Sequence, residues 1–334
     1  MANIVNIAGM STMSKDTWYD YFIEILHKKY PKKSHLAQAL MELLCIEREA
    51  VYRRLRKDVV FPVQEIGKIA TAWNISLDEL IGVNMGQVSF QMRKINYCEP
   101  SEDDANFLRF VIQSMNYLKQ FQETEFMDIC NKLPRQILAG YKHLYMFYLF
   151  KWIYEYGMES GTDVVPFSNI SHTEEKAQII AEYNQIIKEI PNSSFIWDQR
   201  LFDNIVNDVR YFNSIYLVTD EEKDLIKKDL YDLLDYMLIV ANKGAYPETQ
   251  CKVNLYISQL NIDTNYSYTF TPEANICFVH VFEKYDIYTF NAEMTVNFKK
   301  WMQLKKRTSI QISEVDARSR VEFFTKQRQI VDTL

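Results

Sequence analysis

Apolar residues recur with two different periods along this chain, and the change falls near residue 250. Before it, they return every three or four positions, the spacing of a helix with one buried face. After it they alternate, the spacing of a half-buried strand. Trp18, Phe22, Ile25 and Leu26 predict a first helix, stopped by Pro31. Ser34 is placed to cap a second, carrying Leu36, Leu40, Leu43 and Leu44. A break at Cys45-Ile46 leads into a third over 47–57, with Ala50, Val51 and Leu55 on one side and arginines on the other. Pro62 opens a fourth, with Ile66, Ile69, Ala70 and Trp73 inward. A short turn of helix at Leu77 to Leu80 completes five.

Residues 83–100 lose the helical period, which sets a first domain at 1–90 and a linker at 91–100. Long helices are expected at roughly 102–122, 134–157, 173–190, 197–214 and 220–243. Past residue 250, Val253, Leu255 and Ile257 alternate with polar residues, as do Tyr266, Tyr268 and Phe270. Ile276 to Phe282 and Ile287 to Phe290 complete four strand candidates. A helix over 292–306 and an amphipathic tail helix over about 314–331 close the chain, the latter with Ala317, Val321, Phe324 and Val331 in a stripe that must pack on its own domain, the commoner outcome, or serve dimerisation or docking. Gly 8 and Pro 8 in 334 residues leave no flexible-linker composition to oppose a helical reading. The expected fold is therefore mainly α: an N-terminal five-helix domain plus a larger helical domain (101–250) ending in a small α+β region (251–334).

Charge is divided along the chain. Residues 1–94 hold 13 basic and 10 acidic residues, whereas the remaining 240 hold 25 and 34. Within 28–57 nine basic residues face three acidic ones. A small basic unit attached to an acidic body points to a polyanion partner for the first unit alone.

The stretch from Lys33 to Gly82 resembles the phage-repressor-type (lambda-repressor-like, Xre-like) helix-turn-helix family. Leu40, Leu44 and Ile46 stand around the turn, Ala50, Val51 and Leu55 in the next helix, and Asn74-Ile75-Ser76-Leu77-Asp78-Glu79-Leu80 at the end. Met41 and Cys45 replace the usual small alanine and turn glycine, and Leu55 and Lys57 stand where an acidic residue and a glycine are common. The resemblance implies a bacterial-type DNA-binding transcriptional regulator whose helix 47–57 lies in the major groove of double-stranded DNA. On that helix, Arg48 is suited to guanine, Glu47 or Glu49 to a cytosine amino group, and Tyr52 to a thymine methyl or a phosphate. Arg53, Arg56 and Lys57, with Lys33 and Ser34 at the preceding helix, are the phosphate-contacting candidates. Glu49 has an equally good structural reading, as an i,i+4 partner of Arg53. Arg54 is expected to turn toward the flank.

The remaining features are weaker. Lys299, Lys300, Lys305, Lys306 and Arg307 form a basic cluster: either a helix C-terminus collecting cations, or an anion site for an effector or a second DNA contact. Tyr141, Tyr145, Tyr148, Trp152 and Tyr156 recur at helical spacing, which fits a packed face better than an aromatic pocket. Five widely spaced cysteines and five histidines show neither disulfide nor metal spacing, so no metal and no cofactor is expected. No nucleotide-binding or hydrolase motif occurs. The expectation is a cytoplasmic, non-enzymatic homodimer with no membrane segment and room for a small-molecule effector in its C-terminal part. An enzyme fused to a DNA-binding domain, and an interaction scaffold with a vestigial helix-turn-helix, remain the alternatives.

Overall fold

The computed structural model describes residues 18–73, 75–77, 88–93, 100–160, 165–170, 173–272, 275–281 and 285–334. The chain divides into two compact units, Met1–Ser89 and Phe90–Leu334.

In the first unit, α1 (Trp18–Lys29), α2 (Lys33–Leu44), α3 (Arg48–Leu55) and α4 (Val63–Trp73) enclose one core of Phe22, Leu26, Leu36, Leu40, Val51 and Ile69. These are the inward positions of the helical period, so sequence pattern and packing coincide. The expected fifth helix falls largely on 78–80, outside the described residues. Ser34 is not a cap: the N-cap is Lys32, without a side-chain hydrogen bond, and Ser34 sits in the first turn. Three residues, Cys45-Ile46-Glu47, join α2 to α3. Cys45 adopts the left-handed conformation (φ 54°), and its N–H donates to the Met41 carbonyl at 2.9 Å. That closes α2 where glycine usually serves.

The second unit is not a helical domain with a small α+β tail. It is built on an eight-stranded mixed sheet in the order β1-β7-β6-β5-β2-β3-β4-β8. The elements are β1 (Gln91–Met92), α5 (Pro100–Leu118), β2 (Glu125–Cys130), α6 (Arg135–Leu138), α7 (Lys142–Ser160), a 3-10 turn at Phe167–Asn169, α8 (Glu174–Lys188) and β3 (Asn192–Trp197). They continue with α9 (Asp203–Ser214), α10 (Asp220–Lys243), β4 (Lys252–Ser258), β5 (Tyr266–Phe270), β6 (Asn275–Val281), β7 (Tyr285–Thr289), α11 (Ala292–Arg307), β8 (Ser309–Gln311) and α12 (Ala317–Asp332). The fold class read from the sequence is overturned by β2 and β3, which stand side by side at the centre of this sheet. Both are buried on both faces, so they lack the alternation that reveals a half-exposed strand. Residues 197–214, expected as one helix, begin as the end of β3. The expected linker likewise supplies an edge strand, Gln91 pairing with Tyr288 and Met92 with Ile287.

β2, β3 and β4 are parallel neighbours, whereas β5, β6 and β7 continue from β2 as an antiparallel meander. Helices α5–α10 and α12 cover one face, against Phe126, Phe195, Trp197, Val253 and Leu255. On the opposite face α11 lays Phe298 and Met302 over Met127, Ile129, Ile196 and Tyr268. This is a three-layer arrangement.

The tail helix α12 packs within its own unit. Phe323, Phe324, Gln327 and Val331 are buried against it, while Val321, assigned to the stripe from the sequence, is 61% exposed. Gln327 donates to the Gln199 carbonyl (2.9 Å) and Arg320 to the Ile312 carbonyl (2.6 Å). Those inward polar residues break the apolar pattern, so the buried face is rotated from the stripe that apolar spacing alone marks. Of the expected stripe, Phe324 and Val331 are spent on the core of the unit, whereas Ala317 and Val321 stay exposed.

Candidate nucleic-acid interface and a cleft in the second unit

The outer face of α3 carries a row of exposed charge. Glu47 is the N-cap and, like Arg48 and Glu49, is exposed. Arg48 Nη2 donates to the Tyr52 hydroxyl (3.4 Å), its guanidinium 5.6 Å from the ring centroid. The Tyr52 ring rests partly on the core, leaving Arg48 as the group that projects. Glu49 pairs with Arg56 at 3.5 Å rather than with Arg53, and Arg56 also binds Asp58 at 3.0 Å. Arg53 is exposed and has no acidic partner among the described residues. Lys57, in the left-handed region (φ 66°), is tied to Asp20 of α1, and so is less available than the sequence suggests. Lys33 and Ser34 are exposed in the first turn of α2. Arg54, as expected from its position, turns away: it grips Glu65 of α4 and lies beside the Phe61 ring.

The C-terminal basic cluster does not converge on one point. Lys299 pairs with Glu125 at 3.2 Å and lies 3.8 Å from the Phe270 ring centroid. Lys306 is half-buried, donates to Ser194 Oγ (3.0 Å), and its pKa is lowered by that burial. Lys305 lies over Trp301, while Lys300 and Arg307 project outward. This geometry resembles a helix C-terminus with its cations spread around it more than an anion cradle.

The second unit also contains a site that the sequence did not announce. A cleft of about 480 Å3 opens between the sheet at β2, β5 and β6 and the helices α5 to α9. Its apolar lining includes Phe107, Phe110, Val111, Phe126, Ile276 and Phe278. The pleat brings polar residues to the same face: Asp128 of β2 is in register with Ser267 of β5, and Phe126 with Thr269. Asp128 is 1% exposed, accepts from Ser267 Oγ at 2.7 Å, and accepts from Gln136 Nε2. Burial pushes its carboxyl up to about 7, and the Asp286 charge adds to the effect. His280 Nδ1 lies 3.0 Å from Asp286 Oδ1 at the far side. Arg135 lines the cleft with Nε and Nη2 on the Tyr148 hydroxyl (3.0 and 2.6 Å) and Nη1 3.5 Å from Asp104. Tyr148 thus faces the cleft, whereas Tyr145 and Trp152 of the same stripe are core residues. One sequence signal did exist: Asp128 is the lone charge in the run Phe126-Met127-Asp128-Ile129-Cys130.

No group of three or more His, Cys, Asp or Glu side chains suited to a metal ion occurs among the described residues, and none of their helices is long and apolar enough to cross a membrane. Comparisons with protein-family models, curated proteins and solved structures return no match.

Proposed function

We propose that the chain is a sequence-specific DNA-binding transcriptional regulator, acting in the cytoplasm as a homodimer. The first unit is its helix-turn-helix and α3 enters the major groove. The observation that carries this reading is the division of labour among the arginines of α3. Arg54 is spent on Glu65 inside the unit, while Arg48 and Arg53 project from the exposed face. That separation leaves two cations on the outer face that the fold of the unit does not use. The left-handed Cys45 gives support, since it closes α2 within a three-residue connection to α3 as the helix-turn-helix resemblance requires.

In this reading Arg48 reads a base edge, Glu47 or Glu49 supplies an acceptor, and Arg53 with Lys33 and Ser34 holds phosphates. Arg56 joins them by exchanging Asp58 and Glu49 for a phosphate. The second unit supplies the dimer contact, because a single module of this size buries only about 600–1,000 Å2 on DNA. The test is selection of bound fragments from genomic DNA, followed by gel shift of the selected site against a scrambled one. A site with two half-sites about 34–36 Å apart is expected, bound by a dimer. Equal binding to both sequences, or none, would favour the interaction-scaffold alternative.

A further inference from the structure

The cleft of the second unit lies outside the surface assigned above to DNA, and its charge pattern is uneven in an informative way. The basic groups Arg135 and Lys151 around it have carboxylate counterparts in Asp104 and Asp208, and the His280 ring lies 3.0 Å from Asp286. Asp128 is the exception among these carboxylates. Its hydrogen-bonding partners are the neutral Gln136, Ser267 and Cys130. A carboxylate buried with neutral partners is costly to ionise, and an arriving cation relieves that cost. Beside it on the same face, the Thr269 hydroxyl is buried and has no hydrogen-bond partner among the described residues. Buried polar atoms are nearly always satisfied in native proteins, so an orphan lining a cavity points to a ligand.

The rest of the lining fits the same class of molecule. Phe107, Phe110, Phe126 and Phe278 offer ring faces and apolar area, and ring faces attract ammonium groups within about 6 Å. The volume of about 480 Å3 lies within the ~300–1,000 Å3 range of small-molecule sites. We propose that this cleft binds an organic cation, an amine or amidinium whose head group meets Asp128 and Thr269 and whose aromatic or aliphatic body lies along the phenylalanines. The inference stands independently of DNA binding.

The test uses one body with three head groups: 4-phenylbutylamine, 4-phenylbutan-1-ol and 4-phenylbutyrate, each titrated calorimetrically into the full-length protein at pH 8. The amine is expected to bind at least about tenfold tighter than the alcohol, and the carboxylate weakest, since a desolvated charge pair outweighs a neutral hydrogen bond. Asp128→Asn should bring the amine down to the level of the alcohol and leave the alcohol unchanged. Phe110→Ala, at the exposed rim, should weaken all three compounds by a similar factor, which ties the binding to this cleft. If Asp128→Asn does not fold, the head-group order in the unaltered protein decides. Preference for the carboxylate would place the head group on Arg135 or Lys132 and overturn the proposal. So would equal binding of amine and alcohol, or binding of none of the three. None of these readouts involves DNA, so failure here leaves the regulator reading intact, and failure of the gel shift leaves this one intact.

Discussion

Arg54 of α3 and Glu65 of α4 face each other through two parallel hydrogen bonds, Nε to Oε2 at 2.7 Å and Nη2 to Oε1 at 2.9 Å. The side chains are only 16% and 18% exposed, and Arg54 also donates to the Ala50 carbonyl at 3.2 Å. A bidentate pair of this kind fixes the rotation of one helix against another as well as holding them together. Glu65→Ala is expected to destabilise the first unit by about 2–4 kcal/mol, because it leaves the guanidinium mostly buried without its partner. A double-mutant cycle with Arg54→Met, followed by denaturant melts of Trp73 fluorescence, measures the coupling. A coupling near zero would remove the pair from the account of how α3 is held.

Arg53 and Arg56 should behave differently on DNA. Arg53→Ala removes an unpaired cation and should weaken specific and non-specific binding alike. Arg56→Ala should lose less, since Arg56 must first give up Asp58 and Glu49. Arg48→Ala should cost about 1–3 kcal/mol on the selected site and relax preference at one base pair. Gel shifts on a set of single-base variants distinguish the three. A uniform loss for Arg48→Ala would mean that α3 is rotated in the groove relative to this assignment.

Salt dependence provides a second check on the same surface. Each phosphate neutralised contributes about −0.9 to the slope of log K against log salt. Arg53→Ala should make that slope shallower by about one unit, and Glu65→Gln should leave it unchanged where the variant stays folded. A slope near zero in the unaltered protein would rule out phosphate contacts.

Cys45→Gly should stabilise the first unit. A side chain in the left-handed region costs roughly 1–2 kcal/mol, whereas glycine enters it freely. The unfolded glycine chain takes back part of that gain, so the net effect expected is about 0.5–1 kcal/mol, read as a rise in thermal midpoint. A fall would show that the Cys45 side chain has a contact worth more than its backbone strain.

Asp128 makes the second unit sensitive to pH, in a direction set by its raised pKa. The folded carboxyl keeps its proton up to about pH 7, whereas the unfolded one releases it near 3.8. Stability from this group is therefore present at low pH, falls as pH rises between those two values, and stays low above them. Asp286, His280, Lys132 and Arg135 line the same cleft, so their charges contribute to the profile. Asp128→Asn should flatten this fall and stabilise the unit at pH 8 by something on the order of 2–4 kcal/mol relative to its effect at pH 4. Denaturant melts at both pH values check this. An equal effect at the two would mean that Asp128 is not buried as described.

The first unit was readable in the sequence because each of its four described helices spends one face on the core. Leu36, Leu40, Val51 and Ile69 all appear at helical spacing and all are buried. The meander was readable for the parallel reason that Tyr268 and Cys277 alternate with residues on the other face. The centre of the sheet was hidden by the very burial that makes it central. Met127 packs under α11 and Phe126 packs under the other layer, so neighbours in sequence are both apolar and no period emerges. In β3 the pattern is masked further by Ser193 and Ser194, polar yet buried. The cleft is legible only once β2 is placed, since Asp128, Ser267 and His280 lie far apart in sequence and meet through the sheet register.

The strand order also fixes a timetable for synthesis. The described helices of the first unit neighbour one another in sequence, and their core is complete once Ile75 and Leu77, just past α4, have been translated. β2 is in a different position. Its flank on one side is β3, but on the other it is β5, where Glu125 pairs with Phe270. While the intervening chain is being made, an apolar strand with two sticky faces and an open edge waits for its neighbour. Pairings across so long a separation are slow to form and leave nascent chains prone to association. The helices of the first unit can thus pack well before the sheet of the second can close, and the interval between those two events is when an unpaired edge of β2 is most open to association.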